Sequence, residues 1–168
     1  MSILVSAGMM QRADMKMQIK RAASGDNSTL FEALSELDRL CIGNEGWSAA
    51  SFESEAAKEN GIVLYIGENE RIAGLICGYF AIGEGDITSV AVHPDFRRKG
   101  LALELIRKFE EHLPNGTEDI FLEVRETNTA ARSLYEKCGF AAVSVRKNFY
   151  DSPRENAVVM KKQLCKED

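Results

Sequence analysis

A short basic segment, Arg97-Arg98-Lys99-Gly100, stands between a stretch typical of a strand and a leucine-rich stretch typical of a helix. Exposed backbone amides at the start of a helix carry a partial positive charge, and a glycine there lets a ligand approach the backbone closely. These residue types in this order predict a binding site for an anion such as pyrophosphate. A solvated basic turn is the alternative for such a cluster in an acidic protein.

The pattern of apolar and turn residues predicts the elements that hold this segment. Strands and helices alternate in the manner of an α/β sandwich with a mixed sheet. The predicted order is a strand at 17–22, a helix ending before Gly43, a helix ending at Asn60-Gly61, strands at 62–66, 72–81 and 86–92, a helix at about 100–113, a strand at 120–124, a helix ending at Cys138, and strands at 141–149 and 157–162.

The composition is that of one globular domain. The chain has 168 residues, of which 45% are hydrophobic and 28% charged, so it is long enough for one core and too short for two ordinary domains. Its net charge of -5 and pI near 5.2 disfavour binding to nucleic acid or to a membrane surface, both of which repel an acidic protein. A cationic partner fits this charge better.

The cysteines and histidines form no metal-binding pattern. Four widely spaced cysteines without a C-x-x-C pair predict free thiols in a reducing cytoplasm, and no metal is expected. No stretch reaches the roughly 18–20 apolar residues that a membrane span needs. Residues 1–15 are interpreted as a flexible N-terminal appendage, and residues 16–168 as the functional domain.

The segment from Val90 to Leu103 resembles the cofactor-binding motif of the GNAT acetyltransferase superfamily, Arg/Gln-x-x-Gly-x-Gly/Ala, at Arg97, Gly100 and Ala102. The resemblance implies acetyl-CoA as co-substrate and a three-layer sandwich, in which a mixed, mostly antiparallel sheet of about seven strands is flanked by about four helices. It places pyrophosphate on the loop and the pantetheine arm beside the strand. The cofactor-binding residues so implied are Val90, Ala91, Val92, Arg97, Arg98, Lys99, Gly100, Leu101, Ala102, Leu103 and Asn128.

A second segment, residues 120–143, indicates one subgroup of this superfamily. Its Leu-Glu-Val-Arg run, the asparagine before a small-residue helix, and its Tyr-Glu and Gly-Phe pairs resemble the RimI-type ribosomal-protein-alanine N-acetyltransferases. The resemblance spans residues 17–162 and implies that the acceptor is a protein N-terminus, such as that of a ribosomal protein. Gly46 replaces a proline of the family pattern and Asn156 replaces an aspartate, so a different peptide preference stays open.

The resemblance assigns the catalytic roles to Glu123 and Tyr135. Acetyl transfer needs an uncharged amine, a stabilised oxyanion and a proton for the departing thiolate. Glu123 is expected to take the amine proton directly or through water, and Tyr135 to protonate the sulfur. Asn128 is expected to cap the helix of Tyr135 and to bind the cofactor. The alternatives are a Glu123 carboxylate paired with Arg125 or with a helix-cap partner, and a tyrosine that only packs in the core.

The chemistry of the amine favours a terminal α-amine as acceptor. Its pKa of about 7.7–8.0 makes deprotonation at pH 7 cost about 1 kcal/mol, against about 4.6 kcal/mol for lysine. Trp47, Phe149, Tyr150 and Glu155 are expected to shape the acceptor groove, with Glu155 attracting a cationic peptide end. Trp47 is equally well explained as a core anchor between two helices.

Two other functions fit the same sequence. A small-molecule acetyltransferase would act on a polyamine, an amino sugar or an amino acid, and a non-catalytic acyl-CoA-binding domain would keep the fold without turnover. The segment 149–157 discriminates between the two kinds of acceptor, because it should leave an open groove for a peptide and a closed pocket for a metabolite. A monomer or a weak homodimer is expected.

Overall fold

The computed structural model describes residues 18–68 and 71–164. The predicted appendage at 1–15, the first residue of the predicted strand at 17–22, and Cys165 lie outside the described residues. Within them the elements follow the predicted order. The helices are α1 Ser28–Ile42, α2 Ala49–Ala57, α3 Leu101–Glu111 and α4 Thr129–Lys137, and the strands are β1 Ile19–Arg21, β2 Gly61–Glu68, β3 Arg71–Ala81, β4 Glu84–Val92, β5 Asp119–Arg125, β6 Ala141–Asp151 and β7 Arg154–Gln163.

The described strands form one seven-stranded sheet in the order β1-β2-β3-β4-β5-β7-β6. Neighbouring strands are antiparallel except β4 and β5, which run parallel. The predicted α/β sandwich with a mixed, mostly antiparallel sheet is therefore confirmed. Within the described residues, no helix has the length and apolar character that crossing a membrane requires, and no three His, Cys, Asp or Glu side chains converge as a metal site.

Helices pack on both faces of the sheet. On one face, α1 and α2 contact β2, β3 and β4, with Phe31, Leu34 and Phe52 in the core. On the other face, Leu105 and Phe109 of α3 share a core with the apolar side chains of β2 to β5 and β7. Tyr135 of α4 belongs to the same core as α3. The two sides of the sheet are therefore named the α1/α2 face and the α3/α4 face.

Capping chemistry starts three of the four described helices. The side chains of Asn27, Ser48 and Asn128 accept hydrogen bonds from backbone amides in the first turns of α1, α2 and α4, which satisfies groups that would otherwise lack a partner. Gly139 follows α4 with a φ of 95°, the left-handed conformation that a glycine just after a helix commonly adopts. Helix α3 differs, because Gly100 precedes it without any side-chain cap.

The two parallel strands part from each other in the middle of the sheet. Pairing between β4 and β5 covers only Glu84 to Ile87 on β4, and ends there. At the same point β4 carries a bulge. Ile87 pairs with Gly78 and Ser89 with Cys77, so Thr88 is the extra residue that has no paired position on β3. A bulge bends its strand and increases the local twist. The result is an opening between the carboxyl-terminal halves of β4 and β5.

Candidate active site

The end of β4 borders this opening with a backbone edge that pairs with no described strand. Val90, Ala91 and Val92 pair with β3 on one side, and their other side lies beyond the last rung shared with β5. Ala91 is buried toward α1, while Val90 and Val92 pack against the core on the α3/α4 face. An extended ligand that carries amide groups can pair with such an edge as an added strand does.

The start of α3 has the features of an anion site. Gly100 adopts a φ of 77° as N-cap, and a Cβ added there would meet nothing within 4 Å. The amide of Glu104 bonds to the carbonyl of Gly100 at 3.1 Å, so the amides of the first three helical residues precede the helical ladder and remain available to a ligand. The positive end of the helix dipole adds to their attraction for phosphate.

The basic side chains of the loop are partly engaged by the protein. Arg97 donates from Nε to the carbonyl of Val92 at 3.1 Å, and its Nη2 lies 3.8 Å from the thiol of Cys41. Lys99 places its ammonium 5.1 Å from the centre of the Phe96 ring. Arg97 therefore ties the loop to the end of β4, which leaves the backbone amides as the main anion donors of this segment.

Glu123 and Tyr135 lie on opposite faces of the sheet, and Glu123 is the first residue of β5 beyond its last rung with β4. Burial alternates along β5, and Ile120, Leu122 and Val124 belong to the core on the α3/α4 face. Because successive side chains of a strand point to opposite faces, Glu123 projects to the α1/α2 face. Tyr135 on α4 belongs to the core of the α3/α4 face. A group held between the strands can thus be reached from both sides.

The partner of Glu123 is Arg146 of β6. Its guanidinium donates to the Glu123 carboxylate at 2.9 Å, and this arginine side chain is 56% exposed. The alternative of an ion pair between Glu123 and Arg125 is wrong, because Arg125 pairs with Glu45 and Glu155. Residues two apart on a strand share a face, but Arg125 lies at the end of β5, where Glu45 of the α1–α2 loop and Glu155 at the start of β7 supply its acids.

Tyr135 combines packing with a polar end. The residue is 9% exposed, and its ring meets that of Phe140 edge to face at a centroid distance of 6.1 Å. Burial raises the pKa of Tyr135, so its hydroxyl stays protonated at neutral pH. Asn128 caps the same helix by accepting from the amide of Ala131 at 3.1 Å, which occupies its amide oxygen and leaves its nitrogen for other partners.

Arg125 links the α1–α2 loop to β7. It pairs with Glu45 of the α1–α2 loop at 2.6 Å and with Glu155 of β7 at 3.1 Å, and its guanidinium lies 4.2 Å from the centre of the Tyr150 ring. Glu155 also accepts from the amide and the hydroxyl of Thr127, and these bonds, with Arg125, lower the pKa of Glu155. Much of the hydrogen-bonding capacity of Glu155 is therefore used inside the protein.

The aromatic residues expected in the acceptor groove lie in two places. Phe149, which is 44% exposed, meets Tyr150 at 5.0 Å with perpendicular rings, and burial raises the pKa of Tyr150 to about 12. Trp47 lies between α1 and α2 with its ring 5.5 Å from Phe52. Trp47 therefore also serves as the anchor between the two helices, while Phe149 remains open to a ligand.

Helix α1 holds the backbone of Trp47 at two points. The buried carboxylate of Asp38 accepts from the amide of Trp47 at 2.7 Å, and the hydroxyl of Ser35 donates to its carbonyl at 2.7 Å. Asp38 also accepts from the hydroxyl of Ser89 on β4. The α1–α2 loop is thus fastened to α1 and, through Asp38, to the strand that borders the opening.

Both departures from the family pattern have a structural counterpart. A Cβ at Gly46 would lie 2.8 Å from the Cα of Arg39, so the loop approaches α1 too closely for a larger residue in this conformation. Asn156 accepts from the amide of Asn148 at 3.0 Å and donates to Glu126 at 3.2 Å. The second bond links β7 to the loop before α4.

Sequence reasoning did not identify two charged residues near Glu123, which are Asp86 and Arg146. Asp86 faces the same side of the sheet as Glu123, because it pairs with Phe121, two residues earlier on β5. Burial, with repulsion from Glu123, raises the pKa of Asp86 to about 6. No local pattern distinguished Asp86 from the other polar residues of β4, and none pointed from Arg146 to Glu123.

A comparison with protein families matches residues 29–140 to the acetyltransferase (GNAT) family. The chain belongs to this family. The matched region begins in α1 and ends at Phe140, so it contains the loop before α3, the opening between β4 and β5, and both candidate catalytic residues. The predicted enzyme class, an N-acetyltransferase, is confirmed.

Curated members of the GNAT family include one well-matched subgroup. The chain is 36% identical over 118 residues to the ribosomal protein bS18-alanine N-acetyltransferase of Haemophilus influenzae, covering 68% of this chain and 80% of that protein. It is 32% identical over 117 residues to the protein of the same name from Escherichia coli K12, covering 68% and 78%. The predicted RimI-type resemblance is confirmed.

Solved GNAT structures agree with the fold. The ribosomal-protein-S18-alanine N-acetyltransferase of Escherichia coli matches with a TM-score of 0.75 at 26% identity, covering 90% of this chain and 97% of that one. NAA60 of Arabidopsis thaliana, crystallised with a bisubstrate analogue, matches with a TM-score of 0.73 at 16% identity, covering 87% and 98%. At its lower identity the second likeness supports the fold alone.

Proposed function

We propose that the protein transfers the acetyl group of acetyl-CoA to the N-terminal α-amine of a protein. The observation that carries this proposal is the position of Glu123 beside the opening between β4 and β5, with Tyr135 in the core on the opposite face of the sheet. A thioester held in that opening meets a carboxylate on the α1/α2 face and a hydroxyl on the α3/α4 face. Acyl transfer to an amine needs a proton acceptor and a proton donor in this arrangement.

The surroundings of the opening fit acetyl-CoA. The uncapped start of α3 can hold the pyrophosphate with the amides of Leu101 to Leu103, and the open position of Gly100 leaves room for it. The edge of β4 at Val90 to Val92, which lies beyond the last rung with β5, can pair with the amides of the pantetheine arm. When bound, acetyl-CoA supplies the acetyl thioester.

The proposed steps assign one proton to each catalytic side chain. Glu123 takes the proton of the acceptor ammonium, directly or through a water, and the freed nitrogen lone pair attacks the thioester carbonyl. As the C–S bond breaks, Tyr135 donates its hydroxyl proton to the sulfur, and the nitrogen gives up its second proton through solvent as the amide forms, which restores the Tyr135 hydroxyl. Arg146 orients Glu123 through their 2.9 Å contact. Asn128 places the first turn of α4 and offers its amide nitrogen to the cofactor.

The α-amine is the acceptor that one carboxylate serves most easily. Deprotonation at pH 7 costs about 1 kcal/mol for an α-amine but about 4.6 kcal/mol for lysine. The curated relatives are named for an N-terminal alanine of ribosomal protein bS18, which supports a protein N-terminus as the acceptor. The exposed ring of Phe149 and the tied segments around Arg125 flank the place where such a peptide would enter.

The acceptor can be tested with a panel of amines. Acetyl-CoA turnover would be followed by thiol release and the products by mass spectrometry, for a peptide with a free α-amine, the same peptide blocked at its N-terminus with one lysine, and a polyamine. We expect the free α-amine peptide to have the highest kcat/KM. A preference for the lysine peptide or the polyamine would overturn the acceptor, and absence of turnover with every amine would overturn the enzymatic function.

The anion site can be tested by Gly100→Asp. The new side chain projects into the open space at the start of α3 and adds a negative charge where phosphate should bind, so we expect acetyl-CoA affinity to fall by about 10²-fold or more. Titration calorimetry measures the affinity. Gly116→Asp is the matched control, because Gly116 has a φ of 91° and equally open surroundings beyond the other end of α3. Unchanged affinity in a folded Gly100→Asp protein would remove the assignment.

A further inference from the structure

A cluster of buried polar side chains connects helix α1 to strand β4. Four polar or charged residues are buried among those that the structure describes, and Asp38 is the one with no exposed surface. Each oxygen of its carboxylate has one partner. Oδ1 accepts from the hydroxyl of Ser89 on β4, and Oδ2 accepts from the backbone amide of Trp47 at 2.7 Å. One side chain of α1 therefore joins a strand of the sheet to the α1–α2 loop.

The carboxylate of Asp38 depends on these two hydrogen bonds. None of the described residues forms an ion pair with it. Its pKa is raised, because burial outweighs the opposite effect of the bonds from Ser89 and Trp47. Loss of either bond would leave a buried charged oxygen without a partner, which costs more than an ordinary hydrogen bond contributes. Ser89 and the backbone of Trp47 are therefore expected to move as one unit.

Ser89 lies where β4 can respond to a ligand. It follows Thr88, the extra residue of the bulge, and it precedes Val90–Val92, whose outer edge lies beyond the last rung with β5. This part of β4 is thus paired only with β3 among the described strands. A ligand that pairs with the other edge adds hydrogen bonds that hold the strand in place.

The α1–α2 loop carries the other end of the connection. Two residues before Trp47, Glu45 accepts from the amide of Asp151 at 3.1 Å and pairs with Arg125 at 2.6 Å. The loop therefore contacts β5 and the end of β6, beside the place where the acceptor is proposed to enter. A change in the backbone at Trp47 lies close enough to these contacts to alter the acceptor side.

We propose that Asp38 is a positioning residue that couples the acetyl-CoA site on β4 to the acceptor site at the α1–α2 loop. The inference rests on the proposed function. Pairing of the cofactor with Val90–Val92 fixes β4 beyond its bulge, and Ser89 transmits this to Asp38, which holds the loop in the arrangement that receives the acceptor. Each ligand then raises the affinity for the other by the same factor, because coupling between two binding equilibria is reciprocal.

The fluorescence of Trp47 tests the connection without any acceptor. Trp47 is the only tryptophan of the chain, so this signal reports on the loop. We expect CoA, which has no acetyl group to transfer, to change the fluorescence of the wild type along its binding curve. Ser89→Ala deletes the bond from β4 and leaves Trp47 bonded to Asp38. By titration calorimetry this variant should bind CoA within about threefold of the wild type, yet show less than about half of the fluorescence change.

The coupling factor is measured by titrating a peptide with a free α-amine in the absence and presence of saturating CoA. In the wild type CoA should raise the peptide affinity by about tenfold, within the usual range for coupled sites, and in Ser89→Ala by about twofold or less. Ser35→Ala is the matched control. Ser35 is also a buried serine and donates to the carbonyl of Trp47 at 2.7 Å, but this bond comes from α1. It should keep the fluorescence change and stay within about twofold of the wild-type factor.

Thermal unfolding of both variants establishes that they are folded. The proposal is overturned if Ser89→Ala keeps the wild-type factor, if CoA changes neither the fluorescence nor the peptide affinity of the wild type, or if Ser35→Ala loses the factor as fully as Ser89→Ala. The last result would mean that only the general packing of the loop matters. A wild-type protein that binds CoA but acetylates no amine would instead overturn the proposed function, and the fluorescence measurement would still decide the role of Asp38.

Discussion

Replacing Tyr135 with phenylalanine is expected to lower kcat by about 10²–10⁴-fold, the usual contribution of a general acid. The substitution deletes the hydroxyl and keeps the ring that packs on Phe140. None of the described residues is hydrogen bonded to that hydroxyl, so its loss should leave thermal unfolding and acetyl-CoA affinity nearly unchanged. Because burial raises the pKa of Tyr135, the wild-type hydroxyl keeps its proton across the assay range.

The control for this substitution is Tyr65→Phe. Tyr65 lies on β2 and packs against the core of the α1/α2 face, so removal of its hydroxyl should change kcat by about twofold or less. Steady-state kinetics with calorimetry and thermal unfolding separate chemistry from packing. A Tyr135→Phe enzyme with near-normal kcat would return Tyr135 to a purely structural role.

Glu123→Gln is expected to show a defect that depends on pH. With an α-amine acceptor the rate should fall by about 10²–10⁴-fold near neutral pH, where the amine is mostly charged and needs a proton acceptor. The defect should shrink as the pH rises above about 8, because most of the acceptor is then already neutral. Steady-state rates between about pH 6.5 and 9.5 give the comparison.

The same variant tests the kind of amine. On a matched lysine peptide the defect should persist over this range, because lysine stays mostly charged until about pH 10. Asp119→Asn is the control, since Asp119 is a carboxylate on the same face of β5 that is paired with Lys161 at 3.0 Å. A defect on the α-amine peptide that does not change with pH would mean that Glu123 only positions the substrate or holds the strand.

Local features of the fold could be predicted because their causes lie within a few residues. The cap at Asn128 and the end of α4 near Cys138 depend on side chains and backbone angles of one turn. The loop before α3 was predicted in the same way, since a glycine at a helix start has a local meaning. The apolar periodicity placed the strands and helices within a few residues of their observed bounds.

Pairings between distant residues could not be predicted, because they depend on sheet order and register. Glu123 and Arg146 are 23 residues apart and meet only because β6 and β7 follow β5 in the sheet. Arg125 and Glu45, 80 residues apart, meet where the α1–α2 loop reaches the end of β5. When several acidic residues lie this far from an arginine in the sequence, the sequence pattern does not show which of them will pair with it.

The sequence by itself determined the family, the order of elements, the anion-binding loop and the two residues expected to transfer protons. Each of these features depends on residues within one contiguous segment. The tertiary structure decided on which face of the sheet those residues lie and which residues are their neighbours. In it β4 separates from β5 at a bulge, Glu123 and Tyr135 lie on opposite faces of the sheet, and Asp86 lies on the same face as Glu123. The physical reason is that a residue's face and neighbours follow from strand register, and a single bulge residue changes both.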